Sequence, residues 1–170
     1  MDVFIEYIVK RKKTAQDYLK AVGIVFACVL VWMLLLMFNQ YLMGLGFLLI
    51  VGAGWGAWKL IQGLNVEYEY ILTNSEMDVD RIVAKQRRKR MLSMDFKTAE
   101  ICARCDDPDF RHEFENTASL AKTYDVRGGD GQSYFVDYAA GESGRTRILF
   151  TPNEKMMEAI KKMAPRTVHL

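Results

Sequence analysis

The sequence predicts an α+β membrane protein, with an N-terminal transmembrane helical hairpin followed by a mostly antiparallel β domain that ends in a C-terminal helix. Three observations support this fold class. Residues 21–61 are almost uninterruptedly apolar, residues 66–150 alternate with a period of two between turn signals, and residues 153–164 return to helical spacing. The hydrophobic fraction of 51% over 170 residues is therefore an average over two different kinds of segment.

The apolar region has the length of two membrane spans. A bilayer core of about 30 Å needs roughly 20 helical residues. Residues 21–38 and 41–61 each reach about that length, and one continuous helix would bury Asn39 and Gln40 without polar partners. We therefore expect two transmembrane helices with their turn at residues 39–40. A soluble hairpin would have too few residues around it, and a cleaved signal peptide would not continue into a second apolar run.

Basic residues flank the apolar region on both sides, whereas the turn carries no charge. They are Lys10, Arg11, Lys12, Lys13 and Lys20 before it, and Lys59, Arg81, Lys85, Arg87, Arg88, Lys89 and Arg90 after it. Because cytoplasmic flanks are enriched in Lys and Arg, we expect a multi-pass protein of the cytoplasmic membrane with both termini in the cytoplasm. Residues 61–170 carry 17 basic and 18 acidic residues, which argues against a nucleic-acid partner.

Residues 1–20 form a cytoplasmic segment before the first span. Phe4, Tyr7 and Ile8 fall at helical spacing and precede the basic cluster Lys10, Arg11, Lys12 and Lys13. This pattern predicts a short amphipathic helix at the membrane surface. Its basic cluster either contacts anionic lipid or serves only to fix the topology.

Short strands are predicted throughout a cytoplasmic domain at residues 65–165. Alternation places strands at residues 66–72, 77–85, 90–96 and 99–103, a loop at 105–116, and further strands around a hairpin turn at 128–131 and a second turn at 141–144. The helix at residues 153–164 has Asn153 as its N-cap and ends before Pro165. About seven antiparallel strands followed by one helix is the layout of a pleckstrin-homology-like (PH-like) barrel.

The chain resembles two groups of bacterial proteins. Residues 66–163 are similar in pattern to bacterial PH-like domains that adjoin one or two spans. Nearly the whole chain resembles a group of small two-span proteins of Clostridia-like bacteria without known function, through VKRKKTAQDYLK, EYEYILTNSEMDVDRI, RRKRML, HEFEN and PNEKMMEAIKKMAPR. Neither resemblance implies a catalytic residue. PH-like folds imply phosphoinositide contacts from a basic loop between the first two strands, and the loop predicted here, residues 74–76, has no basic residue.

The chemical motifs in the sequence are incomplete. Cys102 and Cys105 form a C-x-x-C pair that would suit zinc, redox chemistry or reduced thiols in a strand, but no second pair accompanies it and the nearest further ligand is His112. Residues 112–116, HEFEN, lack the second histidine of a zinc-protease motif, and residues 128–131 lack the Lys-Ser/Thr of a phosphate loop. We therefore expect no catalytic residue, metal site or cofactor, and a protein that is not an enzyme.

Two kinds of candidate interaction site remain. The basic run Lys85, Arg87, Arg88, Lys89 and Arg90 is predicted in a turn, where it would contact anionic lipid or an acidic partner, or only fix the topology. The small residues Gly52, Gly56, Ala53 and Ala57 would pack helices within the hairpin, in a homo-oligomer or against a membrane partner. We expect a non-enzymatic binding or scaffolding module at the inner face of the membrane. An accessory subunit of a membrane transporter or envelope complex and an anionic-lipid-binding module are the alternatives.

Overall fold

The structure, a computed structural model, describes residues 3–42, 44–141 and 144–169. It divides into a helical unit, residues 13–66 with 83–86, and a β unit formed by the remaining described residues. The helices are α1 (Ala15–Met37), α2 (Leu45–Gln62), α3 (Arg111–Glu115) and α4 (Glu154–Met163). The strands are β1 (Phe4–Lys10), β2 (Val66–Thr73), β3 (Glu76–Val83), β4 (Arg87–Asp95), β5 (Ala99–Arg104), β6 (Lys122–Asp125), β7 (Tyr134–Ala139) and β8 (Arg145–Phe150). The fold is therefore α+β, as the sequence predicts.

The helical unit is a hairpin of α1 and α2. The backbone N–H and the hydroxyl of Thr14 donate to the Asp17 carboxylate at 2.9 and 3.0 Å, which forms a capping box at the start of α1. The two amides of the predicted turn lie in a short 3₁₀ helix, Asn39–Tyr41. Helix α2 starts at Leu45 and not at residue 41, because Gly44 adopts a left-handed φ of +91° that interrupts the helical path.

The two helices of the hairpin pack through a tryptophan and a glycine. Trp32 Nε1 donates to the carbonyl of Ile50 at 3.0 Å, and a Cβ atom added to Gly54 would lie 3.1 Å from the Trp32 ring. With 23 and 18 residues, α1 and α2 are long and apolar enough to cross a bilayer by length and composition. Most of their large apolar side chains are exposed.

The first sheet has the order β1-β2-β3-β4, and its first strand precedes the hairpin in the sequence. β1 pairs antiparallel with β2, and Tyr7 lies opposite Tyr70. The predicted amphipathic helix within residues 1–20 is therefore wrong. The segment also has a two-residue period, with Ile5, Tyr7 and Val9 on its less exposed face, and β2 supplies the backbone hydrogen bonds that make it a strand.

The second sheet has the order β5-β7-β8-β6, in which β6 is parallel to β8 and the other pairs are antiparallel. The predicted hairpin at residues 128–131 is therefore wrong, because β6 and β7 are not neighbours. The segment instead reaches the end of β1, where Gly129 N donates to the carbonyl of Lys10 at 2.8 Å. A Cβ atom added to Gly128 would lie 2.6 Å from that oxygen, so only glycine lets the two backbones approach this closely.

The turn predicted at residues 141–144 connects the antiparallel neighbours β7 and β8. Gly141 and Gly144 have φ angles of +56° and +78°, which favour glycine. Glu142 and Ser143 lie outside the described residues. Among the strands that the structure describes, none pairs from one sheet to the other, so two separate four-stranded sheets take the place of the expected closed barrel.

Tyr70 ties the first sheet to segments that follow β6 and β8. Its hydroxyl donates to the carbonyl of Val126 at 2.5 Å and accepts from the backbone N–H of Thr151 at 3.2 Å. Burial raises the pKa of this phenol, so the donor stays protonated. After β8, Asn153 caps α4 by accepting from Met156 N at 2.8 Å. The apolar face of α4 is buried through Met156, Met157 and Ile160.

Candidate functional site

The N-terminal basic cluster lies at the end of β1 and in the connection that leads to α1. Lys10 is the last residue of β1, and the cluster continues with Arg11, Lys12 and Lys13. Lys12 Nζ lies 3.1 Å from Asp130 in an exposed ion pair. Because β1 is a strand, the connection between the first two strands is residues 11–65 and not residues 74–76. Residues 74–76 have no basic residue, but they connect the second and third strands, so the expectation that they lie between the first two strands is wrong.

Most of the second basic run lies in a strand and not in a turn. Ala84 and Lys85 are the central residues of a β-turn closed by Gln86 N and the Val83 carbonyl at 3.1 Å, and their φ angles are +53° and +56°. The four residues that follow open β4 and are exposed: Arg87, Arg88, Lys89 and Arg90. The predicted turn is wrong for Arg87, Arg88 and Lys89, because the turn ends at Gln86 and these residues are already extended. Arg90, which also opens the strand predicted at residues 90–96, lies in a strand as expected.

Two of these arginines are held by carboxylates of β2 and β3. Arg88 lies 2.7 Å from Glu69 of β2. Arg90 lies 2.8 Å from Asp78 and 3.0 Å from Asp80, both of β3. The Glu69 and Asp80 side chains are only 4% and 8% exposed, and carboxylates with so little water need a cation nearby. Arg88 and Arg90 therefore neutralise acidic residues of their own sheet.

Arg87 and Lys89 are the cations of β4 that remain for a partner. Both are exposed, and neither forms an ion pair with another residue that the structure describes. β4 is also the last strand of its sheet, so one side of its backbone has no neighbouring strand within the described ranges. We name this surface the basic edge. Such an edge suits strand addition by an acidic segment, and basic side chains also protect edges from unwanted pairing.

Cys102 and Cys105 have the properties of protonated thiols. Burial raises the pKa of Cys102 to about 12 and that of Cys105 to about 11. A thiol is a weak nucleophile and a poor metal ligand compared with a thiolate. Within residues 3–42, 44–141 and 144–169, no group of three His, Cys, Asp or Glu side chains is arranged to hold a metal ion. Both are free thiols: Cys102 is buried in β5, as the third alternative expects, whereas Cys105 lies just after that strand.

A cavity of about 820 Å³ lies beside the N-terminal end of α4. Its lining includes Tyr7, Arg104, Tyr134, Asn153, Lys155 and Glu158. Sequence analysis missed it, because its walls come from strands and a helix that are far apart in the sequence. Positive and negative side chains are mixed around it, and Arg104 is paired with Asp106 at 3.0 Å. The cavity therefore points to no one class of ligand.

The small residues of α2 lie on two different sides of the helix. Gly52 is exposed, whereas Ala53, Gly54, Gly56 and Ala57 are half-buried, and of these Gly54 approaches Trp32 of α1. A Cβ atom added to Gly52 or Gly56 would meet nothing within 4 Å. Close packing within the hairpin therefore uses Gly54, and the Gly52 and Gly56 side of α2 remains open.

Comparison with known proteins identifies one family. The family model described as bacterial PH-like domain (DUF6106) matches residues 1–170. No curated protein and no solved structure matches the chain. The match agrees with the resemblance to bacterial PH-like proteins drawn from the sequence and with the fold, two mostly antiparallel sheets followed by a helix. The chain belongs to the bacterial PH-like domain family DUF6106.

Proposed function

We propose that this protein is anchored in the cytoplasmic membrane by its helical hairpin and that its PH-like domain is a non-enzymatic module that binds a protein partner at the inner face. The observation that carries the proposal is the pairing of β1 with β2 on either side of the hairpin. Lys10 lies opposite Glu67, so the chain leaves the first sheet and re-enters it at neighbouring positions. A membrane segment inserted between two such positions has to cross an even number of times.

The charges around the hairpin support a cytoplasmic domain. Lys10, Arg11, Lys12, Lys13 and Lys20 precede or open the apolar part of α1, and Lys59 lies in the last turn of α2. The turn between the helices, Asn39–Tyr41, has no charged residue. The enrichment of Lys and Arg on cytoplasmic flanks therefore favours termini in the cytoplasm and contacts of the flanks with membrane lipids.

The chemistry of the β unit supports binding more than catalysis. Its two cysteines have raised pKa values, and its most deeply buried ion pair, Arg147 with Asp137, is fully used in internal contacts. A catalytic site needs a nucleophile, base or metal directed into a cleft. The basic edge offers a more direct use, because an extended acidic segment would gain backbone hydrogen bonds from β4 and charge pairing from Arg87 and Lys89.

A cross-linking experiment in native membranes tests this proposal. An affinity-tagged full chain is cross-linked mildly, purified and compared with the variant Arg87→Glu/Lys89→Glu. The matched control is Lys161→Glu/Lys162→Glu, which reverses the same number of exposed charges on α4. We expect a specific co-purifying protein that the β4 variant loses and the α4 variant keeps. Arg88 and Arg90 are left intact, because their loss would unpair carboxylates of the sheet.

Two results would contradict the proposal. Recovery of only the protein itself and bulk lipid from all three samples would exclude a protein partner. If no protein is captured and the β4 variant, solubilised in detergent, binds added phosphatidylserine more weakly than the α4 variant does, anionic lipid and not a protein is the ligand of the basic edge.

A second candidate function is supported by the open side of α2. Gly52 and Gly56 have free space around them and the G-x-x-x-G spacing that lets helices approach in lipid. This favours a homo-oligomer or an accessory subunit of a transporter or envelope complex. Gly52→Leu/Gly56→Leu should shift the complex to lower mass on native gels, whereas Gly23→Leu, at an equally open glycine of α1, should not. An unchanged mass for both variants would exclude this role for α2.

A further inference from the structure

One edge of the second sheet is already occupied by a segment of the same chain. β5 is the first strand of its sheet, and its outer side contacts residues 165–169, which we name the tail segment. Cys102 N donates to the carbonyl of Thr167 at 2.8 Å, and His169 N donates to the carbonyl of Cys102 at 2.8 Å. Val168 lies opposite Cys102 in a parallel bridge. Only Val168 and its two flanking backbone groups pair with β5, because the N–H groups of Thr167 and Val168 both donate to the carbonyl of Ala164 at 3.2 Å in the turn that follows α4.

Few contacts fix the tail segment to this edge. Val168 is the buried residue of the segment, 5% exposed, and the His169 ring lies 4.5 Å from that of Phe110 at an angle of 32°. Pro165 and Arg166 are exposed and connect the bridge to α4. A single bridge next to an exposed connection can open locally at a much lower free energy than the whole domain.

We propose that the outer edge of β5 is a binding site for an extended peptide parallel to β5, and that the tail segment is its built-in occupant. The bound peptide would place a β-branched apolar residue where Val168 lies and a planar ring over Phe110 at the next position. This site is separate from the basic edge on β4 and does not depend on it. Because a tethered segment acts at a millimolar effective concentration, a partner has to compete with the tail segment for the edge.

Hydrogen exchange of the full chain in detergent micelles tests whether the tail segment detaches. The amides of Cys102 and His169, which make the two bridging hydrogen bonds, should exchange at least a hundredfold faster than the slowest amides of β7, the inner neighbour of β5. If both amides exchange only as slowly as those of β7, the tail segment opens only with the domain, and the proposal is wrong.

Peptide binding tests whether the vacated edge accepts a strand. The probe is a dye-labelled peptide with the sequence of residues 164–169, APRTVH, and the acceptor is the full chain ended after Pro165, both in detergent micelles. We expect saturable anisotropy changes, at least tenfold weaker binding to the intact chain, and loss of binding for a peptide with Asp in place of Val168.

Three results would overturn the proposal. They are no saturable binding to the folded shortened chain at millimolar peptide, equal binding to shortened and intact chains, and failure of the shortened chain to fold, which would make the tail segment part of the core. The variant Val168→Asp of the intact chain checks the last result, because it keeps the length of the chain. It should bind the peptide as the shortened chain does.

Discussion

Asp137→Ala should destabilise the β unit more than any other single carboxylate change. Asp137 is fully buried on β7, and the guanidinium of Arg147 on β8, 3% exposed, donates to its two oxygens at 2.6 and 2.7 Å. Arg145 approaches the same carboxylate at 3.2 Å. Removing Asp137 leaves a buried cation without its counter-ion, and breaking a pair of this kind costs about 3–5 kcal/mol of unfolding free energy.

The contacts of Arg147 explain why the structure cannot relax around the missing carboxylate. Its guanidinium also donates to the carbonyls of Glu113 at 2.8 Å and Phe114 at 2.5 Å, at the end of α3. It lies 4.9 Å above the centre of the Phe135 ring and 5.6 Å from that of Phe114. These contacts hold the cation in place, so it cannot turn toward water when Asp137 is absent.

Hydrogen exchange of the β7 amides measures this effect on the full chain. All three tryptophans, Trp32, Trp55 and Trp58, lie in α1 and α2, so tryptophan fluorescence does not report on the β unit. β7 is an inner strand between β5 and β8, so its slowest amides exchange only when the unit opens. The urea dependence of their exchange in detergent micelles gives the unfolding free energy.

Asp106→Ala is the matched control. Arg104 also donates twice to Asp106, at 3.1 and 3.0 Å, but this pair is exposed. Water screens such a pair, so its loss should change the stability little. If Asp137→Ala costs less than about 1 kcal/mol, or no more than Asp106→Ala, the reasoning that burial makes the Arg147 pair indispensable is refuted.

Three further predictions concern the backbone, the hairpin and pH. Gly128→Ala should detach β1 and raise its hydrogen exchange, because the new Cβ would lie 2.6 Å from a carbonyl oxygen of β1; unchanged exchange would contradict this. Gly54→Leu should alter tryptophan fluorescence, because a Cβ atom at residue 54 would already lie 3.1 Å from the Trp32 ring and a larger side chain would displace it. Gly52→Leu should leave the fluorescence unchanged, because that position is open. The hydrogen bond from the Arg127 guanidinium lowers the pKa of Asp125 in the folded protein. The ionised Asp125 therefore stabilises the fold above its unfolded pKa of about 3.9, and this contribution is lost as the pH falls through its folded pKa. Asp125→Asn should therefore be less stable than the natural chain near pH 7 but equal to it in strong acid, as urea titrations at both pH values can check.

The elements predicted correctly from the sequence are those whose pattern is local. The helical hairpin follows from the length of its apolar runs, and the strands from β2 to β5 follow from alternation. β1 has helical and two-residue periods at once, and only its partner β2, beyond the hairpin, decides between them. The parallel pairing of β6 with β8 is likewise a long-range choice that no turn residue near 128–131 signals.

The basic run shows why composition alone does not define a site. The sequence alone does not show which members of the run Arg87, Arg88, Lys89 and Arg90 form ion pairs. The fold brings Glu69 next to Arg88 and Asp80 next to Arg90. Of the four, Arg87 and Lys89 are therefore the two without an ion pair to a residue that the structure describes. Cross-strand pairing, which depends on register, thus decides which charges are free for a ligand.

The position of the hairpin between β1 and β2 also couples the two units during folding. Closing a flexible connection of about 55 residues would cost roughly 3.5 kcal/mol of chain entropy before β1 could pair with β2. Once α1 and α2 have packed, the connection is no longer flexible, and most of that cost has already been met by helix packing. We therefore expect the first sheet to be completed only after the hairpin has formed, which makes a folded PH-like domain a sign that α1 and α2 have packed.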